Sequence, residues 1–270
     1  MNRPTMSTHR LPDWLEFAIK NVAAYARFIL VATCFVTISG CATGPNIHPS
    51  DPIEPFNRGV ANFNDGLDRV ILKPAAIAYS AVTPSLMRAG VTNFFGNLSD
   101  GWTALNGVLQ LRPQLAAESF MRFSVNTFFG LGGLLDIAGE AGIPKHQEDL
   151  GKTLGRWGVP AGPYIVLPIF GPSTLRDAFT ISAETAYDPV SRIDPARARV
   201  GTNALRLVNT RANYLRLGNV MDGAALDKYT FTRDAFMAKR RADVARSANK
   251  DLDDPKGSEK EERFDQEPNK

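Results

Sequence analysis

The chain has few of the residues that carry enzyme chemistry or bind metals. It contains two cysteines, Cys34 and Cys41, and three histidines among 270 residues. No G-x-S-x-G elbow, H-x-x-x-H pair, P-loop or helix-opening G-x-G-x-x-G is present. The sequence therefore predicts a protein that is not an enzyme and that uses no metal or cofactor.

Excess charge and long apolar runs are also scarce. The formal charge is only +3, and no cluster of Lys and Arg is interleaved with aromatics, so we expect no nucleic-acid partner. The apolar run from Phe28 to Ile38 has 11 residues. A helix that crosses the hydrocarbon core needs about 20, so this run fits the central region of a secretory signal instead.

The N-terminal segment has the order of features found in a lipoprotein signal. Lys20 and Arg27 precede the apolar run, which ends in Ile38-Ser39-Gly40-Cys41. This tetrapeptide resembles the bacterial lipobox, which implies that residues 1–40 are a signal peptide and that Cys41 carries palmitate-like acyl chains. The residue after it is Ala42 rather than Asp, which by the bacterial sorting rule favours the periplasmic side of the outer membrane. The alternative is a signal anchor in which Cys41 is an ordinary small residue.

The rest of the chain divides into a tether, a helical domain and a charged tail. Residues 41–55 hold four prolines and little periodicity, and residues 248–270 mix charges of both signs with almost no apolar residues, so we expect disorder in that tail. Residues 56–247 predict an all-α domain, because apolar residues recur at helical spacing with no strand alternation. The first five of these are Phe56, Val60, Phe63, Leu67 and Ile71.

The helices are expected to be short and to end at proline or glycine. The first should stop at Lys73-Pro74, and the second, beginning near Pro84, should break at Gly96-Asn97. Pro113 should open a helix that extends towards Phe128. Further helices are predicted at 177–186, 196–218 and 222–247. The helix at 196–218 carries arginines that either face solvent or lie on anionic lipid.

Two apolar segments are too rich in glycine or proline for regular helix. Residues 129–143 are either a buried turn of the core or an apolar hairpin that dips into lipid. Residues 155–171 are dense in aromatic and aliphatic side chains, so they line either the core or a lipid. Arg176-Asp177 follows at once. It is either a helix start, with Asp177 favoured by the helix dipole, or a pair near a lipid headgroup.

A long series of short motifs, in order along the chain, carries a family resemblance. It runs from residue 51 to about 195 and includes Asp51-Pro52-Ile53-Glu54-Pro55-Phe56-Asn57-Arg58, Asn62-Phe63-Asn64, Gly96-Asn97-Leu98, Arg122-Phe123, Gly130-Leu131-Gly132-Gly133, Gly162-Pro163-Tyr164 and Thr174-Leu175-Arg176-Asp177. This series resembles the MlaA (VacJ) lipoproteins. Residues 196–270 resemble them only as helix followed by a variable tail.

The resemblance implies a function as well as a fold. It implies a ring-shaped bundle of short amphipathic helices lying in the membrane plane around a central amphipathic channel. Such a lipoprotein removes misplaced phospholipid from the outer leaflet and passes it to a soluble periplasmic carrier, beside a trimeric porin. The residues expected to line or gate the channel are Asn62, Phe63, Gly130, Gly132, Gly133, Asp136, Gly158, Gly162, Tyr164, Arg176 and Asp177.

Two other functions remain open from the sequence. A purely structural outer-membrane lipoprotein would contact porin or cell wall without moving lipid. A lipid hydrolase would need His146 as a general base, although no nucleophile motif accompanies it.

Overall fold

The computed structural model of the protein describes residues 48–216 and 227–248. The predicted signal peptide, Cys41, most of the tether and the tail beyond Ala248 lie outside the described residues. The chain divides into two units at Ile53. Within the first unit the described residues 48–53 form a turn, which the Asp51 amide closes by donating to the His48 carbonyl at 2.8 Å.

Helix dominates the second unit, which confirms the predicted all-α class. The elements in chain order are α1 (Glu54–Leu67), a π-helical turn (Asp68–Leu72), α2 (Lys73–Val82), α3 (Ser85–Leu109), α4 (Pro113–Phe128), α5 (Ile137–Glu140), α6 (Leu150–Arg156), β1 (Tyr164–Leu167), β2 (Gly171–Thr174), α7 (Leu175–Tyr187), a 3-10 turn (Pro189–Arg192), α8 (Ala196–Asn213) and α9 (Lys228–Ala248). In the described residues, no helix is both long enough and apolar enough to cross a bilayer.

Several predicted helix starts and ends are confirmed. Pro113 occupies the first turn of α4, where its missing N–H costs no hydrogen bond, and the helix ends at Phe128 as expected. Helix α7 contains the predicted 177–186 segment and ends before Asp188-Pro189. Its N-cap is Thr174, whose hydroxyl accepts a hydrogen bond from the Asp177 amide.

Two predicted helix breaks are wrong. The chain passes through Lys73-Pro74 without leaving helical geometry, because Pro74 falls in the first turn of α2 directly after the π-helical turn. Helix α3 also continues through Gly96-Asn97. An interior glycine costs a helix only about 1 kcal/mol, and the Asn97 side chain is engaged with Thr127 of α4 at 2.8 Å.

A small antiparallel hairpin was not predicted. Strands β1 and β2 lie in the irregular 155–171 region and its continuation, with Tyr164 opposite Thr174 and Leu167 opposite Gly171. The outer edge of β1 is bonded by side chains of α1 instead of by another strand. Asn57 accepts from the Val166 amide at 2.9 Å and donates to the Tyr164 carbonyl at 3.1 Å. Asn64, seven residues on, does the same for Ile169 and Leu167.

The helices pack in a few contiguous groups. Helix α3 packs on α4, α8 packs on α2 and α3, and α9 packs on α6 and β2. A small apolar cluster of Tyr164, Val166 and Tyr229 joins the hairpin to α9, with Val60 and Phe236 at its edge. These contacts bring the irregular segments 129–143 and 155–171 against helices whose buried faces are polar.

Candidate functional site

The distribution of side chains is inverted relative to a protein surrounded by water. Among the described residues, 21 polar or charged residues are buried but only ten hydrophobic ones, while 30 large hydrophobic residues are exposed. Scattered exposed apolar residues are normal, but here they include Val82, Leu111, Phe128 and Phe179, each more than three-quarters exposed. An apolar exterior over a polar interior is the arrangement expected when lipid, not water, covers the surface.

Helix α3 supplies the longest polar stripe of this interior. Its buried face carries Asn97, Asp100, Thr103 and Asn106, and Gln110 directly after the helix continues the stripe, at spacings of three and four. The stripe is closely bonded to α6, since the Thr153 hydroxyl donates to Asn106 at 2.7 Å and Gln110 donates to Thr153 at 3.0 Å. Buried polar groups are costly unless paired, and Asn106, Gln110 and Thr153 are bonded to one another.

A buried cation, Arg122 of α4, holds the glycine hairpin, as we call residues 129–143. The Arg122 side chain is 2% exposed. It donates to Asp136 at 2.7 Å, to Asp100 at 3.3 Å and to the Ile143 carbonyl at 2.7 Å. Asn126 adds a hydrogen bond to Asp136 at 2.9 Å. Burial raises the pKa of Asp100, whereas at Asp136 the effect of burial is outweighed by Asn126 and Arg122, and its pKa is lowered.

Two glycines of this hairpin, Gly130 and Gly133, are required by close packing. A Cβ atom on Gly130 would collide with the Leu135 and Asn126 carbonyl oxygens. At Gly133, where φ is +93°, it would lie 2.7 Å from the Asn97 amide nitrogen. The hydrophobic residues of the hairpin, in contrast, point outward: Leu131 is 71% exposed and Leu134 44%. The buried-turn interpretation of 129–143 is therefore wrong, and the segment presents an apolar outer surface.

A second charged cluster lies where α6, α7 and α9 meet. Arg176 donates through Nε to Asp177 at 2.9 Å and through Nη1 to the Val159 carbonyl at 3.2 Å. Arg240 donates to Asp177 at 2.8 Å and forms a two-point contact with Asp149 at 2.7 Å. Burial alone would raise the pKa of Asp149, but hydrogen bonds and charge from Arg240 outweigh it and lower that pKa. Both interpretations of Arg176-Asp177 keep some support, since Asp177 is in a first turn and Arg176 borders a cavity.

That cavity, which we call the α9 cavity, has a volume of about 390 Å³. Gly155, the 158–161 segment, Thr174 and Arg176 form one wall, and α9 forms the other. The residues of α9 that line it are Met237, Arg240, Arg241, Val244, Ala245 and Ala248. The cavity thus joins an apolar wall to three guanidinium groups.

The predicted site residues fall into three groups. Gly130, Gly132, Gly133 and Asp136 are together in the glycine hairpin, although Gly132 is exposed and a Cβ atom there would meet nothing within 4 Å. The segment from Gly158 to Tyr164 lies against the start of α7, where the Arg176 amide donates to Ala161 and the Leu175 amide to Pro163, so Gly158, Gly162, Tyr164, Arg176 and Asp177 are brought together. Asn62 and Phe63 are exposed on α1 and join neither group.

Sequence reasoning missed several residues that organise these groups. The two charged clusters are completed by Asp100, Asp149 and Arg240. The outer edge of β1 is bonded by Asn57 and Asn64. The asparagines offered a signal, because two amides seven residues apart lie on one face of a helix. Asp149 and Arg240 are 91 positions apart, and no local pattern links them.

Comparison with known proteins gives the family. The MlaA lipoprotein family matches residues 49–243. A curated relative in Escherichia coli K12, the intermembrane phospholipid transport system lipoprotein MlaA, is 37% identical over 207 residues, which are 74% of this chain and 81% of the relative. An uncharacterized protein of Rickettsia felis is 37% identical over 76% of this chain and 82% of its own length.

A solved structure agrees with these relatives. A chain from work on the structural basis for maintenance of bacterial outer membrane lipid asymmetry superposes with a TM-score of 0.64 at 35% identity. The match covers 74% of this chain and all of that one. The fold is therefore that of a helical lipoprotein class with a polar interior. This chain belongs to the MlaA lipoprotein family.

Proposed function

We propose that this lipoprotein removes misplaced phospholipid from the outer leaflet of the outer membrane and passes it to a soluble periplasmic carrier. The observation that carries the proposal is the inverted surface, because the 30 exposed large apolar residues of the described part of the chain are stabilised where hydrocarbon covers them. The relatives named for intermembrane phospholipid transport support the substrate class.

The polar interior suits a route for lipid headgroups. A charged headgroup in bare hydrocarbon costs several kcal/mol, so a protein that moves it must offer polar groups at membrane depth. The predicted channel residues of the two assembled groups adjoin the Arg122 and Arg176 clusters. In this proposal the glycine hairpin borders the route with its apolar face towards acyl chains, and Asn62 and Phe63 contact lipid from α1.

The anchor and the partners complete the proposal. Acyl chains on Cys41 hold the protein on the periplasmic side of the outer membrane, since several chains anchor stably where one binds only marginally. A trimeric porin beside it would give a scaffold in the same membrane, and the soluble carrier would accept the lipid at the periplasmic face.

The test is an assay of surface-exposed phospholipid in cells that lack the gene. We expect exposed phospholipid to rise in the deletion strain, to return to normal with the wild-type gene, and to stay high with Cys41→Ala. No rise in the deletion strain would refute phospholipid removal and favour a structural role in the envelope.

The hairpin can be tested in the same assay. Leu134→Glu combined with Leu135→Glu places two charges on the apolar outer face. The double variant should abolish complementation, because a charged side chain is unfavourable in contact with hydrocarbon. The matched double variant with alanine at both positions keeps the face apolar and should complement. Thermal unfolding of both purified proteins separates the two causes of failure. Equal complementation by the two variants would contradict a lipid-facing hairpin.

A further inference from the structure

The α9 cavity holds a buried guanidinium nitrogen with no protein partner. Arg176 is 8% exposed. Its Nε and Nη1 atoms are bonded to Asp177 and to the Val159 carbonyl, but Nη2 has no hydrogen-bond partner among the described residues. A buried donor left unbonded costs about 1–3 kcal/mol. Arg176 lines the cavity, so an acceptor bound there would remove that cost.

The charge balance around the cavity favours an anion. Asp149 and Asp177 match Arg176 and Arg240, with every contact between 2.7 and 2.9 Å. Arg241 is a third cation on the cavity wall, and no carboxylate within the described residues lies at ion-pair distance from it. One net positive charge therefore remains. Guanidinium groups bind carboxylate and phosphate oxygens especially well.

The remaining wall favours a single acyl chain. Val244, Ala245 and Ala248 lie on one side of α9, and Val159 and Pro160 face them across the cavity. The volume, about 390 Å³, is at the lower end of ligand pockets and far below that of a two-chain phospholipid. Arg241, Ala245 and Ala248 line the cavity and are exposed, so the cavity is accessible from the surface.

We infer that the α9 cavity binds a single-chain lipid with an acidic head, a fatty acid or a monoacyl phosphate. The head lies against Arg176 Nη2 and Arg241, and the chain lies along Val244, Ala245 and Ala248. This site shares Gly158 and Arg176 with the proposed headgroup route, whereas its α9 wall takes no part in that route. It gives the protein a second ligand class, namely the one-chain acids that deacylation of a phospholipid releases.

The experiment uses the acylated full-length protein in phosphatidylcholine nanodiscs and a fatty acid that carries a diazirine in its chain. We expect photolabelling of peptides within residues 237–248, and none there with the corresponding diazirine alcohol. Unlabelled dodecanoate and dodecyl phosphate are used as competitors of the probe. The one that displaces it at the lower concentration shows whether the site prefers a carboxylate or a phosphate head. Equal labelling by the alcohol, or displacement by neither competitor, would overturn the proposal, as would displacement by inorganic phosphate alone.

Matched variants on α9 localise the labelling. Arg241→Glu should lower it about tenfold, the effect of losing one charge-assisted hydrogen bond, whereas Arg246→Glu, away from the cavity, should leave it within about twofold. Ala245→Phe fills the cavity and should also lower labelling, whereas Ala242→Phe lies outside it and should not. If the two arginine variants, or the two alanine variants, changed the labelling equally, the proposed site would be wrong.

Two further measurements make failure interpretable. Labelling of a chain that ends at Ala248 but not of the full chain would overturn the proposal, because the cavity would then hold the acidic tail. Ala245→Phe should still complement the deletion in the surface-phospholipid assay. If Ala245→Phe loses labelling but still removes phospholipid normally, the fatty-acid site and the proposed transport function are distinguished. A deletion strain with no phospholipid defect would refute only the proposed transport function.

Discussion

At the level of single residues, Arg122 is the most consequential group in the structure. It is a buried cation between two carboxylates and a carbonyl, and it links α4 to the middle of the glycine hairpin at Asp136 and to its C-terminal end at Ile143. Removing one member of a buried ion pair leaves the other charge uncompensated. We predict that Arg122→Gln lowers the free energy of unfolding by about 3–5 kcal/mol, measured by denaturant titration in detergent.

The double variant Arg122→Gln with Asp136→Asn tests the cause. Because the carboxylate at position 136 is removed together with its cation, the double variant should recover part of the lost free energy of unfolding. Exposed Arg197 of α8 gives the control, and Arg197→Gln should change stability by less than about 0.5 kcal/mol. A double variant no more stable than Arg122→Gln would show that the pairing with Asp136 is not what stabilises the hairpin.

Asp149 should make stability depend on pH in acid. Burial acts to raise its pKa, but Arg240 outweighs burial and lowers it. As the pH falls, the unfolded chain therefore binds this proton first, near its ordinary pKa of about 3.9. The stabilisation is complete above that pH and is lost as the pH falls through the lower folded pKa. Thermal unfolding measured below about pH 5 should show a shallower decline for Asp149→Asn than for wild type.

The control for this titration is Asp194→Asn. The Asp194 side chain is 92% exposed and its distance to Arg199 is 4.0 Å, so the acid profile should stay that of the wild type. Identical profiles for Asp149→Asn and the wild type would mean that the contact with Arg240 contributes nothing to acid stability.

Among the elements, the glycine hairpin contains a position, Gly130, that has no room for a side chain. At Gly130 a Cβ atom would meet two carbonyl oxygens of the backbone, which cannot move aside as a flexible side chain could. We predict that Gly130→Ala destabilises the protein by at least about 2 kcal/mol. Gly59→Ala is the matched change. Its Cβ meets nothing within 4 Å inside α1, so it should stabilise by about 0.5–1 kcal/mol. Melting temperatures in detergent compare the two.

Helices with a strong local start could be predicted from the sequence, and their ends less well. Pro113 fixes the start of α4 because proline suits a first turn. Pro74 suggested a stop because proline usually ends a helix, yet a π-helical turn lets the chain continue into α2. The hairpin of β1 and β2 could not be foreseen, since four-residue strands carry little pattern and its outer edge is bonded by Asn57 and Asn64 from α1, about a hundred residues away.

Across the whole molecule, the sequence indicated the exposed apolar surface better than the interior. Apolar density at 129–143 and 155–171 indicated a surface against core or lipid, and the structure exposes Leu131 and Phe170. The polar interior was hidden because its charged partners are distant in sequence, as Asp149 and Arg240 are. The predicted channel residues were known only by resemblance, and their role in lipid passage stays a prediction.

The exposed apolar surface should bind bilayers even without the anchor. We predict that the mature chain with Cys41→Ala floats with phosphatidylcholine vesicles on a density gradient and does so equally in high salt, because burial of apolar area is not screened by ions. Release by salt would indicate attraction through surface charge instead. A monomer that stays in the aqueous fraction without detergent would contradict the lipid-covered exterior.

The inverted surface also has a calorimetric consequence. The heat-capacity increase that accompanies unfolding in water, about 12–15 cal/mol/K per residue, comes from newly wetted apolar groups and is reduced by newly wetted polar ones. With the proposed hydrocarbon cover, the exposed apolar side chains would gain little contact with water on unfolding, while the buried asparagines, aspartates and arginines would gain much. The curve of the free energy of unfolding against temperature should therefore be unusually flat. Cooling weakens folds that are stabilised by an apolar core, but it should lower the stability of this protein only slightly.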